Sequence, residues 1–354
     1  MRKRRIWRKP AVFLAALFVI IMFGQSSVTA ETIKIRMGNW VPMHHLIVQG
    51  ILVPWANAIE KESGGDIKID IMKSALGRPN TYFDLLIDGT LDAAWGVSGH
   101  NPGRFTLSEV MDYPFMGVDA WSTSAAAWLT YQKYGHKYGE FKGAKVLGFF
   151  CYGDPYINMK GGPIQKVSDL EGKKIRVGCW IQGEIVKAMG GTPVMLPPTE
   201  TQQAMARGVA DGIVFPLESV EFFKITPVIE STTLVPGGLY NDTFWLAFNE
   251  KKWNSLTADQ RAVIEKHSGL AIALLAGWAW TNGDNWGRAA MEKAGVKFYT
   301  MPQDQVEKTK KILKPLNDSW IAEANKRGLN GNEIMEYARY MAHEYRAIRP
   351  VNIP

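Results

Sequence analysis

Apolar and polar residues alternate over Ile33-Lys34-Ile35-Arg36-Met37 and again over Ile67-Lys68-Ile69-Asp70-Ile71. A period of two is what a strand with one buried face requires. Gly38 and Pro42 punctuate the end of the first run. Between the two, apolar spacing predicts a helix over 44–62, stopped by Ser63-Gly64-Gly65. The rhythm continues down the chain. It predicts strands at 144–151, 174–177, 210–215, 243–248 and 296–299, with a short apolar run at 91–95. Helices are predicted over 80–88, 182–189, 199–207, 303–327 and 332–345. Thr257 with Gln260 three residues on forms a capping box. A long helix follows to Lys293, with an interruption expected near Gly283. Strands separated by helices give an α/β fold with parallel-rich mixed sheets, and a chain of this length is expected to split into two lobes.

The first 30 residues break this rhythm. Arg2 to Lys9 carry six cations and no acid, 11–24 are an apolar run, and Val28-Thr29-Ala30 is a small-residue cleavage signal before Glu31. These are the three parts of a cleaved secretory signal, and the apolar run is short for a membrane span. An uncleaved anchor is the alternative reading, and Arg4-Arg5 is a weak hint of a twin-arginine route. The formal charge of +7 belongs to this leader; the rest of the 354-residue chain is close to neutral and has no footprint for nucleic acid. The run 270–280 contains Gly277 and reads as a buried helix.

Two cysteines, Cys151 and Cys179, do not make a disulfide scaffold, and their pairing is left open. The six histidines form no metal-ligand spacing; His44 and His45 are adjacent and would point about 100° apart on a helix. Gly96-Val97-Ser98-Gly99 lacks the spacing of a nucleophile elbow, and no phosphate-binding fingerprint is present. These patterns nominate no enzyme, no cofactor and no metal, and the absence of a motif does not by itself exclude an enzyme.

Ligands in such sheets bind beyond the carboxyl ends of the strands. Trp40, Trp95, Tyr152, Trp180 and Phe215 fall at such ends, beside glycines that let backbone approach a ligand. Arg176 shares a strand face with Lys174, near the strand's end. Its fork suits a carboxylate, and a plain structural ion pair is an equal reading.

The sequence from 31 to 345 resembles the solute-binding proteins of TRAP (tripartite ATP-independent periplasmic) transporters, DctP type. The resemblance rests on ordered segments: Gly38-Asn39-Trp40, 60–67, Ala75-Leu76-Gly77, 88–92, Tyr113-Pro114-Phe115, Pro163-Ile164 leading into DLEGKKIRV, 191–194 and 206–212. It implies two lobes, 31–151 plus 241–281 and 152–240 plus 282–354, joined by hinge strands and a lobe-spanning helix. It also implies a periplasmic receptor, not an enzyme, that closes over a small organic acid and delivers it to membrane permease subunits; a monomer is expected. The family's carboxylate-holding arginine corresponds to Arg176.

Two departures bear on the ligand. Sugar-acid-binding members carry a second arginine where Gly153 is followed here by Asp154 and Pro155, and an asparagine where Phe215 stands. Both remove polar partners, so the expected ligand is a monocarboxylate with an apolar or aromatic body. A C4-dicarboxylate, with Lys160 or His44 as the second cation, is the alternative; Asp154 could instead face a ligand hydroxyl or amine. A secreted hydrolase and a ligand-presenting partner of a sensor kinase are the rival classes.

Overall fold

The computed structural model describes residues 32–117, 119–135 and 138–350. The expected leader and its cleavage point lie outside these residues.

The chain runs β1 (Ile33–Gly38), α1 (Val53–Glu62), β2 (Ile67–Ile71), α2 (Tyr82–Ile87), β3 (Ala93–Val97), α3 (Ala120–Tyr134) and β4 (Ala144–Cys151). Next come β5 (Tyr156–Met159), β6 (Lys174–Val177), α4 (Trp180–Ala188), β7 (Thr192–Met195), α5 (Thr201–Ala206), β8 (Gly212–Phe215), α6 (Leu217–Phe222) and β9 (Ser231–Leu234). The remainder is β10 (Thr243–Asn249), α7 (Glu250–Ser255), α8 (Ala258–Lys266), α9 (Leu270–Lys293), β11 (Lys297–Thr300), α10 (Gln303–Lys326) and α11 (Gly331–Ala347).

These strands form two sheets, ordered β2-β1-β3-β10-β4 and β11-β9-β5-β8-β6-β7. Pairing is mixed: β1 runs parallel to β2 and β3, whereas β10 is antiparallel to both β3 and β4. In the second sheet β6 is parallel to β7 and β8, and β9 to β11, while β5 is antiparallel to both neighbours. The chain leaves the first sheet after β4 and returns to it at β10.

Three strands escape the alternation rule. β7 is an edge strand with Pro193, a residue tolerated only where no ladder donor is needed. β9 buries Ser231, Thr232 and Thr233 between two neighbours, so its buried face reads as polar. β5 is only four residues long, too short to show a period. Helix α3 was also hidden, because it buries Ser122, Thr123 and Ser124 along with its alanines.

The long helix α9 is unbroken from Leu270 to Lys293. Gly283 does not interrupt it; the break falls earlier, at 267–269 between α8 and α9. A Cβ at Gly283 would collide with the Leu46 and Glu218 side chains, so the glycine lets α9 approach α6 and the segment before α1. The 270–280 stretch forms its first half and is largely buried. The capping box at Thr257 and Gln260 is formed at the start of α8. The expected start of the first helix is instead a wide π turn at Ile47–Leu52, preceding α1. Such turns concentrate at functional sites.

Candidate functional site

A cavity of about 50 Å³ gathers side chains from both sheets. Its walls include Trp40 after β1, His45 before the π turn, Val97 and His100 after β3, and Tyr152 after β4. Arg176 of β6, Phe215 of β8, Phe223, Phe244 of β10 and Trp280 of α9 complete the enclosure. Several of these residues follow strand ends, and six of them are Trp, Tyr or Phe.

Arg176 sits on β6 and is 1% exposed. Its Nε and Nη2 donate to the Leu196 carbonyl at 3.0 and 2.6 Å. Its guanidinium lies 5.0 Å from the Phe215 ring centroid. A Cβ at Gly178 would lie 3.2 Å from Nη2, so the missing side chain keeps room around the fork. Burial pulls the Arg176 pKa down, yet an arginine stays charged in a protein. Among the described residues, no carboxylate oxygen comes within 4.0 Å of it to form an ion pair. A buried cation without a paired anion is costly, and a ligand carboxylate relieves that cost. Of the five N–H donors of a guanidinium, two are used on Leu196, leaving three.

Asp242 is the carboxyl on the cavity wall. Gln182 donates to its two oxygens at 3.0 and 3.2 Å and accepts from the Gly178 N–H at 2.7 Å. Burial raises the Asp242 pKa. The two histidines are neutral. His45 accepts from the Ile47 N–H at Nδ1, which leaves its proton on Nε2, and burial pushes its pKa down to about 3. Burial and then the nearby Arg176 charge lower His100 to about 4.

The structure brings Trp40, Tyr152, Arg176 and Phe215 to one cavity. Trp95 stands one layer back. It is fully buried and stacks on Trp40 with centroids 4.5 Å apart, so it supports the wall without forming it. Trp180 is the first residue of α4 and turns into a separate cavity with Glu109, Tyr113 and Trp320. Asp154 is elsewhere too, facing Asp119 and Arg349. Lys160 donates to the Met205 carbonyl at 2.7 Å and does not reach the cavity. His44 packs against Phe222, and its neighbour His45 takes the place on the wall. Sequence reasoning missed His45, His100, Phe223, Asp242, Phe244 and Trp280. The two cysteines are buried and unpaired, with Cys151 Sγ lying 3.7 Å from Thr243 Oγ1. No group of three or more metal-binding side chains is present among the described residues.

Residues 37–324 match bacterial extracellular solute-binding protein family 7, DctP. A TRAP periplasmic solute-binding protein from Bordetella bronchiseptica, solved with (R)- and (S)-mandelate, is 31% identical at a TM-score of 0.84, with 88% of this chain and 99% of that one covered. A TRAP solute-binding protein from Rhodoferax ferrireducens, solved with copurified benzoate, is 26% identical at a TM-score of 0.83, covering 90% and 100%. The outer membrane transporter protein TsaT of Comamonas testosteroni is 26% identical over 302 residues, 85% of this chain and 88% of its own. Family and neighbours are solute receptors. The chain therefore belongs to extracellular solute-binding protein family 7 and is a DctP-type solute-binding protein of a TRAP transporter, one of the periplasmic receptors that bind small organic acids and work with a membrane permease.

Proposed function

We propose that this receptor captures an aromatic monocarboxylate, holding the carboxylate on Arg176 and the ring between Trp40, Phe215, Phe244 and Trp280. The observation that carries this reading is the buried Arg176, unpaired by any carboxylate within 4.0 Å among the described residues, on a cavity whose walls are aromatic. Mandelate and benzoate in the two structural neighbours support the same class of ligand. A C4-dicarboxylate fits less well. Lys160 and His44 do not line the cavity, and His45 and His100 are neutral near pH 7, so a second carboxylate would be buried without a cation.

The protein acts as a monomer after cleavage behind Ala30. The lobes, 31–151 with 241–281 and 152–240 with 282–354, close over the ligand, and the ligand shifts a pre-existing hinge equilibrium. A thermal-shift screen of residues 31–354 against aromatic monoacids, dicarboxylates, sugar acids and amines tests this. A ligand at about 100 times its Kd adds roughly 2.7 kcal/mol of stability. Stabilisation by aromatic monoacids supports the reading; stabilisation by dicarboxylates or amines alone overturns it.

A further inference from the structure

The cavity contains more polar chemistry than a plain aromatic acid uses. Three donor-bearing groups on its wall, the indole nitrogens of Trp40 and Trp280 and the Tyr152 hydroxyl, are buried without a hydrogen bond of ordinary geometry. The Tyr152 hydroxyl lies near Asp242 and Tyr240, which gives it a polar neighbourhood. The His100 Nδ1 is a fourth such atom, on a ring 6.0 Å from Trp40 and close enough to Arg176 to feel its charge. A buried polar atom left unpaired is costly. Benzoate, once its carboxylate is on Arg176, has no further group to offer them.

We infer that the preferred ligand is a hydroxylated aromatic acid, and that His100 reads its hydroxyl. This rests on the aromatic-acid reading above and narrows it. Neutral imidazole can accept from or donate to a hydroxyl, and the ring lines the same cavity as the carboxylate clamp. A site built to bond a hydroxyl discriminates strongly against the analogue without it, because its own polar atoms are then stranded.

The test compares matched pairs by isothermal titration calorimetry on the wild-type mature protein: mandelate with phenylacetate, and 3-hydroxybenzoate with benzoate. In at least one pair the hydroxylated acid is expected to bind tenfold or more tighter. A ratio below tenfold in both pairs overturns the inference while leaving the aromatic-acid reading intact. No binding by any of the four overturns both. The variant His100→Phe keeps the ring and removes its nitrogens. It is expected to lose the preference, bringing the affinity ratio in each pair below threefold; a preference that survives undiminished removes His100 from the role.

Discussion

Arg176 is anchored to Leu196: its Nε and Nη2 both donate to the one carbonyl, at 3.0 and 2.6 Å. The anchor fixes the guanidinium plane and turns its remaining donors toward other partners. Lysine has no fork and cannot hold the Leu196 carbonyl and a carboxylate together in this way. Arg176→Lys should therefore lose about 1.5–3 kcal/mol of affinity for an aromatic acid, roughly 10- to 150-fold. Calorimetric titration checks it, and an affinity within threefold of wild type would remove Arg176 as the clamp.

Trp40 and Trp95 stack at 4.5 Å yet do different work. Trp40 touches the cavity and Trp95 is fully buried behind it. Trp40→Ala should cost about 1.5–3 kcal/mol of ligand affinity. Trp95→Ala should instead cost about 3–5 kcal/mol of folding stability through the void it leaves. Urea denaturation and ligand titration on both variants separate the two effects; equal affinity losses at unchanged stability would contradict the layering.

Much of this fold is legible in the sequence. The alternating runs mark β1 and β2 within a residue, and Arg176 stands out by its carboxylate-suited fork near a strand's end, with the family resemblance tipping the balance against a structural ion pair. The rest of the wall was not legible. Trp280 lies in the middle of α9, where helical spacing marks it as core, and only the packing of α9 brings it to the cavity. His45 and His44 are indistinguishable in sequence; the backbone bond from Ile47 and the π turn choose between them. Asp242 precedes β10 and reads as a loop acid until Gln182 is seen to hold it.

Gly283 shows how the same local signal can mean opposite things. Glycine inside a helical run suggests a break, but here it makes a close crossing possible. Gly283→Ala should destabilise the fold by about 1–3 kcal/mol through overpacking against Leu46 and Glu218, despite alanine's better helix propensity. A thermal melt checks it, and a raised midpoint would contradict the packing.

Buried acids set the pH response. Burial raises Glu109 and Glu218 to about 8 and Asp284 to about 7. In the unfolded chain these groups ionise near 4, so between there and 8 the folded state binds more protons and stability falls as pH rises. His45 and His100, lowered to about 3 and 4, act oppositely, but only below their unfolded pKa near 6.5. Above pH 6.5 the acids act unopposed by these histidines. The melting temperature should fall from pH 6.5 to 8.5, and Glu109→Gln should flatten that fall; a midpoint that rises over this range would contradict the assignment.

The most direct test of the central claim is the crystal structure of the mature protein with an aromatic acid that it binds. The account predicts the ligand carboxylate on the Arg176 guanidinium, with its ring against Trp40, Phe215 and Phe244. A carboxylate held by other residues, or a ring outside this cavity, would contradict it.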